Sequence, residues 1–326
     1  MLKVFLSDQN RWQHIDAEAG SLPAQAVWFD LYQPTRAEEV LVEKVLGAEM
    51  PTREEMQEIE ASSRLYQENG VHYMTATVMA KADTPHPESA AITFILARQR
   101  LVTLRYVEPR PFRTFSAYIE RQPAQCASGA TAMIGLLEAI IDRLADILER
   151  VGVDMDSLLR EIFEIRQSGK PQRLSGGDYQ QMMAVVGRNQ YLTAKARESL
   201  ISLGRMMSFM TLAEGVNASK ELRSRAKTLI RDAQSLTDHT AFISSNITFL
   251  LDALLGMINL EQNSIIKIFS VAAVVFLPPT LVASIYGMNF QVMPELSWKV
   301  GYPWALVLMV ISAILPYLYF KRRGWL

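Results

Sequence analysis

The chain has 326 residues, 49% of them hydrophobic, and a formal net charge of −1, enough for one sizeable soluble domain with a small membrane part and without the basic footprint of a nucleic-acid binder. Its single cysteine, Cys126, excludes a disulfide framework and a multi-thiolate zinc site. The four histidines (His14, His72, His86, His239) lack metal-ligand spacing.

Met1 to Asn10 holds one lysine, no long apolar core and no small-residue cleavage site, so no secretory leader is expected and the large N-terminal part stays on the side where it is made. Strand signals follow at Ala26 to Leu31, at the alternating Val71 to Met79, and at Ala91 to Leu96 and Leu101 to Val107. The last two flank Arg98-Gln99-Arg100 and predict a hairpin. Between the first two, Arg36 to Ser63 is helical in period and rich in glutamate.

From Thr131 onward nearly everything reads as helix. Met133, Leu136, Leu137, Ile140, Ile141, Leu144, Ile147 and Leu148 form a stripe at 3–4 spacing. Ser168 to Asp178, with its glycines and Pro171, predicts a loop, and a second helix covers Tyr179 to Ala213. A third starts near Ser219, and no strong breaker interrupts Glu221 to Leu277. Gly256 is tolerable within a helix at about 1 kcal/mol. This predicts one long stalk helix running straight into an apolar span.

Ile268 to Pro294 and Val300 to Phe320 contain no charged residue. A bilayer core needs roughly 20 apolar residues in a helix, so both stretches are expected to cross a membrane. The division predicted is an α/β domain at 1–130, a helical hairpin at 131–218, a stalk at 219–264, a first transmembrane helix at 265–286, an outer loop at 287–301, a second transmembrane helix at 302–320 and a basic tail at 321–326. Tyr286, Trp298, Tyr302 and Trp304 cluster at the connector, and Tyr317, Tyr319, Phe320 and Trp325 at the far end, as interfacial rings do. Lys321-Arg322-Arg323 follow the second span directly. Positive-inside bias places that end, and with it the N-terminal domain, in the cytoplasm.

On the first span Asn263, Ile266, Ser270, Ala273, Leu277, Thr280 and Ser284 recur at 3–4 spacing and collect nearly all its polar residues. Hydroxyls and amides are costly against lipid, so this seam is directed at protein or water. Small and polar residues also glue membrane helices together, which is the plainer explanation of the seam. Were the seam to line a pore, Leu277 would form an apolar ring able to gate by dewetting. Pro278-Pro279 remove two helix donors beside it.

The connector is more specific. Gly287-Met288-Asn289, then Met293-Pro294-Glu295-Leu296, resemble the signature of the CorA family of divalent-cation transporters. Glu261-Gln262-Asn263, Lys267 to Ser270, Phe276 to Ser284 and the tail Pro316 to Leu326 look like its bacterial branch, and before the last 70 or so residues only Glu58-Ile59-Glu60-Ala61-Ser62 does. The resemblance implies a homopentameric funnel with an α/β cytoplasmic domain, in the bacterial inner membrane, driven by membrane potential and closed by cytoplasmic Mg²⁺. It places Gly287, Met288 and Asn289 at the outer pore mouth.

The chemistry is compatible with that placing. Mg²⁺ gives up its waters reluctantly, and a ring of Asn289 amides with Gly287 carbonyls could hold the hydrated ion. Glu295 would add an outer anionic ring, although a loop glutamate is often simply solvated. For regulatory Mg²⁺ the candidates are Asp232 and Asp238 on the stalk, facing acids such as Glu58 or Asp83 of another subunit. Zn²⁺, Ni²⁺ or Co²⁺ transport fits the same architecture, and a membrane-tethered sensor or scaffold is the alternative of another class. No phosphate loop, metalloprotease helix or nucleophile elbow supports an enzyme, so no catalytic residue and no nucleic-acid partner is expected.

Overall fold

A computed structural model describes residues 1–6, 11–15, 22, 23, 25–167, 176–289, 291 and 293–323. It divides into two compact units, Met1–Leu250 and Leu251–Leu326.

The first unit is built on a seven-stranded sheet. Its strands are β1 (Leu2–Leu6), β2 (Arg11–Ile15), β3 (Ala26–Tyr32), β4 (Leu65–Glu68), β5 (Val71–Ala80), β6 (Glu88–Ala97) and β7 (Arg100–Arg105). They lie in the order β2-β1-β3-β7-β6-β5-β4, and β3 with β7 is the parallel pair among them. Alternation along the strands sends Val4, Phe29, Leu31, Val102 and Leu104 to one face. There they bury against Leu41 and Val42 of α1 (Arg36–Leu46) and Met56 of α2 (Arg53–Gln57).

Trp28 points to the other face, 4.9 Å from Trp12 and 5.8 Å from Phe115 of α4 (Arg110–Arg121). Two long helices complete that layer, α5 (Gly129–Gln167) and α6 (Gly176–Met210). The α5 stripe predicted from Met133 to Leu148 is buried at all eight positions. α6 is pinned to the sheet by a bond from Thr77 N to Ser202 Oγ at 2.9 Å.

The predicted hairpin is β6–β7. Ala97 pairs with Arg100, leaving Arg98-Gln99 as its two-residue turn, with Arg98 at φ 51°. The helix expected over Arg36 to Ser63 is instead broken into three. α1 stops at Gly47, which takes the left-handed φ of 69°, and Pro51 disfavours helix at the residue before it. α2 then restarts on a Thr52–Glu55 capping box, and α3 (Ala61–Arg64) follows Glu60. Of the expected loop at Ser168 to Asp178, positions 168–175 lie outside the described residues, while Gly176 to Asp178 open α6.

A short turn, α7 (Glu214–Asn217), leads to α8 (Lys220–Tyr286), a single helix of 67 residues in which the unit boundary falls. The expectation of an unbroken helix past Leu277 is met, and the helix passes through Pro278-Pro279 to Tyr286. The second unit adds α9 (Gly301–Arg322), 22 residues or about 33 Å of helix against a hydrocarbon core of about 30 Å. Both helices are long and apolar enough to cross a membrane, and their apolar windows are almost wholly uncovered. Phe290 and positions 324–326, which include Trp325 of the expected aromatic belt and the last residues of the basic tail, lie outside the described residues.

Candidate functional site

All seven seam residues (Asn263, Ile266, Ser270, Ala273, Leu277, Thr280 and Ser284) are exposed. Leu277 is 65% and Ile266 61% exposed. Exposure alone does not set the seam apart, since Phe269, Phe276 and Leu281 on other faces of the same helix are 72, 69 and 62% exposed, while Val271, Pro278, Pro279 and Val282 are buried or half-buried. The polar stripe is left open by its own chain, although an isolated hydroxyl or amide is costly in hydrocarbon.

The Thr280 hydroxyl donates back to the Phe276 carbonyl at 2.8 Å. Its proton is thus used inside the helix, and only oxygen lone pairs face the seam, which suits a cation or the hydrogens of its water shell. Pro278 and Pro279 withdraw two donors from the same turn without ending the helix.

The seam ends where the helix does. Gly287 N closes the last turn on the Ala283 carbonyl at 3.0 Å, and Met288 N bonds the Ile285 carbonyl at 3.3 Å. A Cβ on Gly287 would sit 3.2 Å from the Ala283 oxygen, tighter than side chains tolerate easily. Asn289 follows with an exposed side chain, and Met288 is 46% exposed. Glu295, half-buried, stands in a 3-10 turn, Pro294–Ser297, closed by Ser297 Oγ on the Pro294 carbonyl at 2.7 Å. A Cβ on Gly301 would collide with the Glu295 carbonyl, so glycine is required where that turn meets α9.

The acids named as regulatory candidates do not form one cluster within the chain. Asp232 and Asp238 are both exposed on α8, but six residues place them about 120° apart around a helix, too far round to share an ion. Asp238 accepts from Gln234 Nε2 at 3.2 Å. Asp83, just beyond β5, is surrounded by arginines: Arg143 at 2.6 Å, Arg150 at 2.9 Å and Arg110 at 3.6 Å. Hydrogen bonds from Arg150 and then Arg143 hold its carboxyl below the usual range. That charge is already compensated and has little to offer a cation. Glu58 caps the end of α2 and is exposed.

Asp232 does have an acidic neighbourhood that strand and helix signals did not disclose. It lines a cleft of about 610 Å³ between α5 and α8 with Glu138 and Asp142. Glu138 is occupied by Arg225, at 2.9 and 2.6 Å. The Asp142 carboxyl is pushed upward by burial and then by Glu138, Asp146 and Asp232. The spacing Glu138, Asp142, Asp146 on one face of α5 was the available signal. Even so, among the described residues no group of three or more His, Cys, Asp or Glu side chains is placed to hold a metal within one chain.

The family model for CorA-like Mg²⁺ transporter protein matches residues 23–322. The magnesium transport protein CorA of Salmonella typhimurium is 36% identical over 327 residues, covering the whole of both chains. That of Escherichia coli K12 is 35% identical over the same full extent. The complete structure of the CorA magnesium transporter from Methanocaldococcus jannaschii superposes with a TM-score of 0.72 and 17% identity, over 100% of this chain and 98% of that one. The ZntB cytoplasmic domain from Vibrio parahaemolyticus matches at a TM-score of 0.55 and 9% identity, over 79% of this chain and 97% of its own. At such identities the two structures speak for the fold alone.

Proposed function

This chain belongs to the CorA-like Mg²⁺ transporter family, and from that membership we propose that it carries Mg²⁺ through a ring of α8 helices into the cytoplasm of a bacterial cell. The observation that carries the reading is the seam. The polar residues Asn263, Ser270, Thr280 and Ser284 of an otherwise apolar helix fall on one stripe that its own chain leaves uncovered and that ends at Gly287-Met288-Asn289. One hairpin cannot enclose a pore, so the seams of several copies, five by the family's pattern, face a common axis.

In that ring Asn289 amides and Gly287 carbonyls meet the ion at the outer mouth and bond the water it keeps. Glu295 raises cation concentration there. Thr280, Ser270 and Asn263 continue an oxygen-lined path, interrupted by the apolar ring of Leu277, where dewetting closes the pore. The basic Lys321-Arg322-Arg323 hold the C-terminal end of α9 in the cytoplasm, and the first unit lies on the same side. Membrane potential drives influx: a divalent ion crossing 100 mV gains about 4.6 kcal/mol. Asp232 and Asp238 bind cytoplasmic Mg²⁺ with acids of neighbouring chains and thereby report when import should stop.

The test is uptake into proteoliposomes under an imposed potential, with Mg²⁺, Co²⁺, Ni²⁺ and Zn²⁺ compared. Mg²⁺ flux that follows the voltage supports the reading. Flux of Zn²⁺ but not Mg²⁺ reassigns the cargo within the same architecture, and no flux of any divalent returns the hairpin to a tether.

A further inference from the structure

The Glu58-Ile59-Glu60 segment between α2 and α3 belongs neither to the seam nor to the core. Ile59 is 93% exposed, more than any other large hydrophobic side chain among the described residues. Glu58 and Glu60 flank it, both exposed, and Glu60 makes no side-chain capping bond to α3. An exposed isoleucine alone marks nothing, but here it lies between two carboxylates that form no ion pair with a described residue, so the segment offers an acidic surface with an apolar centre.

α8 carries the complementary surface. Lys220, Arg223, Lys227 and Arg231 succeed one another at intervals of three, four and four residues, and so share one face of the helix. All four are exposed, and none forms an ion pair with a described residue of its own chain; Arg231 only reaches back to the Lys227 carbonyl at 3.4 Å.

The two surfaces are kept apart within one chain. Met56 of α2 is buried in the core on one face of the sheet. The start of α8 is tied to α5 by Arg225 and Glu138, in the layer on the opposite face. We propose that Glu58-Ile59-Glu60 of one chain docks on the Lys220–Arg231 face of α8 in a second copy. The carboxylates pair with the cationic heads while Ile59 lies on their aliphatic stems. Because the two contacting surfaces differ, the interface is heterologous, the kind whose repetition about an axis gives a ring when the rotation closes. The inference rests on the proposed oligomer, supplies it with a specific contact, and assigns Glu58 to cationic partners in place of a shared metal ion.

Cysteine cross-linking of the full-length protein in membranes tests it. The native Cys126 is buried, with its thiol pushed up to about 12, and stays out of the exchange. Ile59→Cys is combined in turn with Arg223→Cys, Lys227→Cys and Arg231→Cys in the same chain. Mild oxidation of at least one pairing is expected to give a ladder of dimers, trimers and higher species up to the closed ring, while each single variant stays monomeric on a non-reducing gel. The charge reversal Glu58→Lys with Glu60→Lys is expected to abolish that ladder, and reversal to Glu of two of Arg223, Lys227 and Arg231 that do not carry the cysteine to restore it. Self-linking of Ile59→Cys alone, absence of the ladder in an assembled Mg²⁺-conducting oligomer, or loss without rescue overturns the proposal. A parent protein that is monomeric in the membrane overturns the transporter reading with it.

Discussion

Arg105 of β7 grips Asp30 of β3 through two hydrogen bonds, 2.9 Å from Nε to Oδ1 and 2.8 Å from Nη2 to Oδ2. Both side chains are about 95% or more buried. Thr103 donates to the same Oδ1 at 2.7 Å and receives the Trp28 indole N–H at 3.0 Å, while the guanidinium stacks on the Tyr32 and Phe112 rings at 4.6 and 4.7 Å. The pair stitches the parallel junction that divides the sheet, with β2, β1 and β3 on one side and the other four strands beyond.

Arg105→Ala leaves the Asp30 carboxylate buried without its partner, which costs about 3–5 kcal/mol. The expected result is a marked fall in thermal midpoint of the full-length protein. Replacing both residues by apolar ones of similar size is expected to cost less than Arg105→Ala alone. Equal midpoints for Arg105→Ala and parent would show that the pair contributes nothing.

His72 of β5 is buried against Phe209, 6.0 Å between ring centres, and its Nε2 has no hydrogen-bond partner. Burial lowers its proton affinity, and Glu214 only partly offsets this. With the native value below the unfolded one of about 6.5, stability from the neutral ring is complete above that pH. It is lost progressively as pH falls through 6.5 towards the native value. His72→Phe is expected to flatten that part of the stability–pH curve, measured by thermal unfolding between pH 5 and 8; an unchanged slope would assign the effect to other groups.

The sequence disclosed the elements whose patterns are long. The α5 stripe, the run of α8 from Glu221 and the β6–β7 hairpin are each dictated by periodicity or by a missing breaker. Short or edge elements were hidden for physical reasons. β2 reads Arg-Trp-Gln-His-Ile and is mostly solvated, and β4 is a four-residue edge strand, so neither carries a strong apolar alternation. The seam stands out in the sequence because polar residues are conspicuous in an apolar span, whereas Gly287-Met288-Asn289 is read from its resemblance to the family signature; the roles of both stay proposals. The partners of Asp83 were not, since Arg110, Arg143 and Arg150 converge on it only after α4 and α5 fold over the sheet.

Asn289 stands exposed immediately after the helix end fixed by Gly287. Asn289→Ala removes the amide that would bond the hydrated ion, and loss of about 1.4 kcal/mol of stabilisation costs about tenfold. Mg²⁺ uptake is expected to fall by about that factor or more with the oligomer intact. Near-parental flux and selectivity in liposomes would remove Asn289 from the filter.

Leu277 is the large apolar side chain between Ser270 and Thr280 on the seam, 65% exposed in the single chain. An apolar ring at that level excludes water when narrow. Leu277→Ser is expected to wet it and leak Mg²⁺ when internal Mg²⁺ is high. Conductance no greater than the parent's under those conditions would place the gate elsewhere.

A divalent ion drawn by about 4.6 kcal/mol per 100 mV accumulates roughly a thousandfold or more at equilibrium, so unregulated influx would overload the cell. In the proposed scheme feedback acts from the cytoplasmic side, and α8 runs without interruption from Asp232 and Asp238 to Ser284. Asp232 adds to the like-charge field that raises the Asp142 carboxyl. In that scheme Mg²⁺ shared with acids of a neighbouring chain would relieve such repulsion when abundant, and its loss would let the helices separate. Asp232→Asn with Asp238→Asn is expected to raise the internal Mg²⁺ concentration that half-inhibits influx into preloaded vesicles. The two positions lie on different sides of the helix, so each single variant is expected to give part of the shift. An unchanged half-inhibiting concentration in the double variant would clear both residues of sensing, and influx that needs ATP and ignores an imposed voltage would contradict the driving force itself.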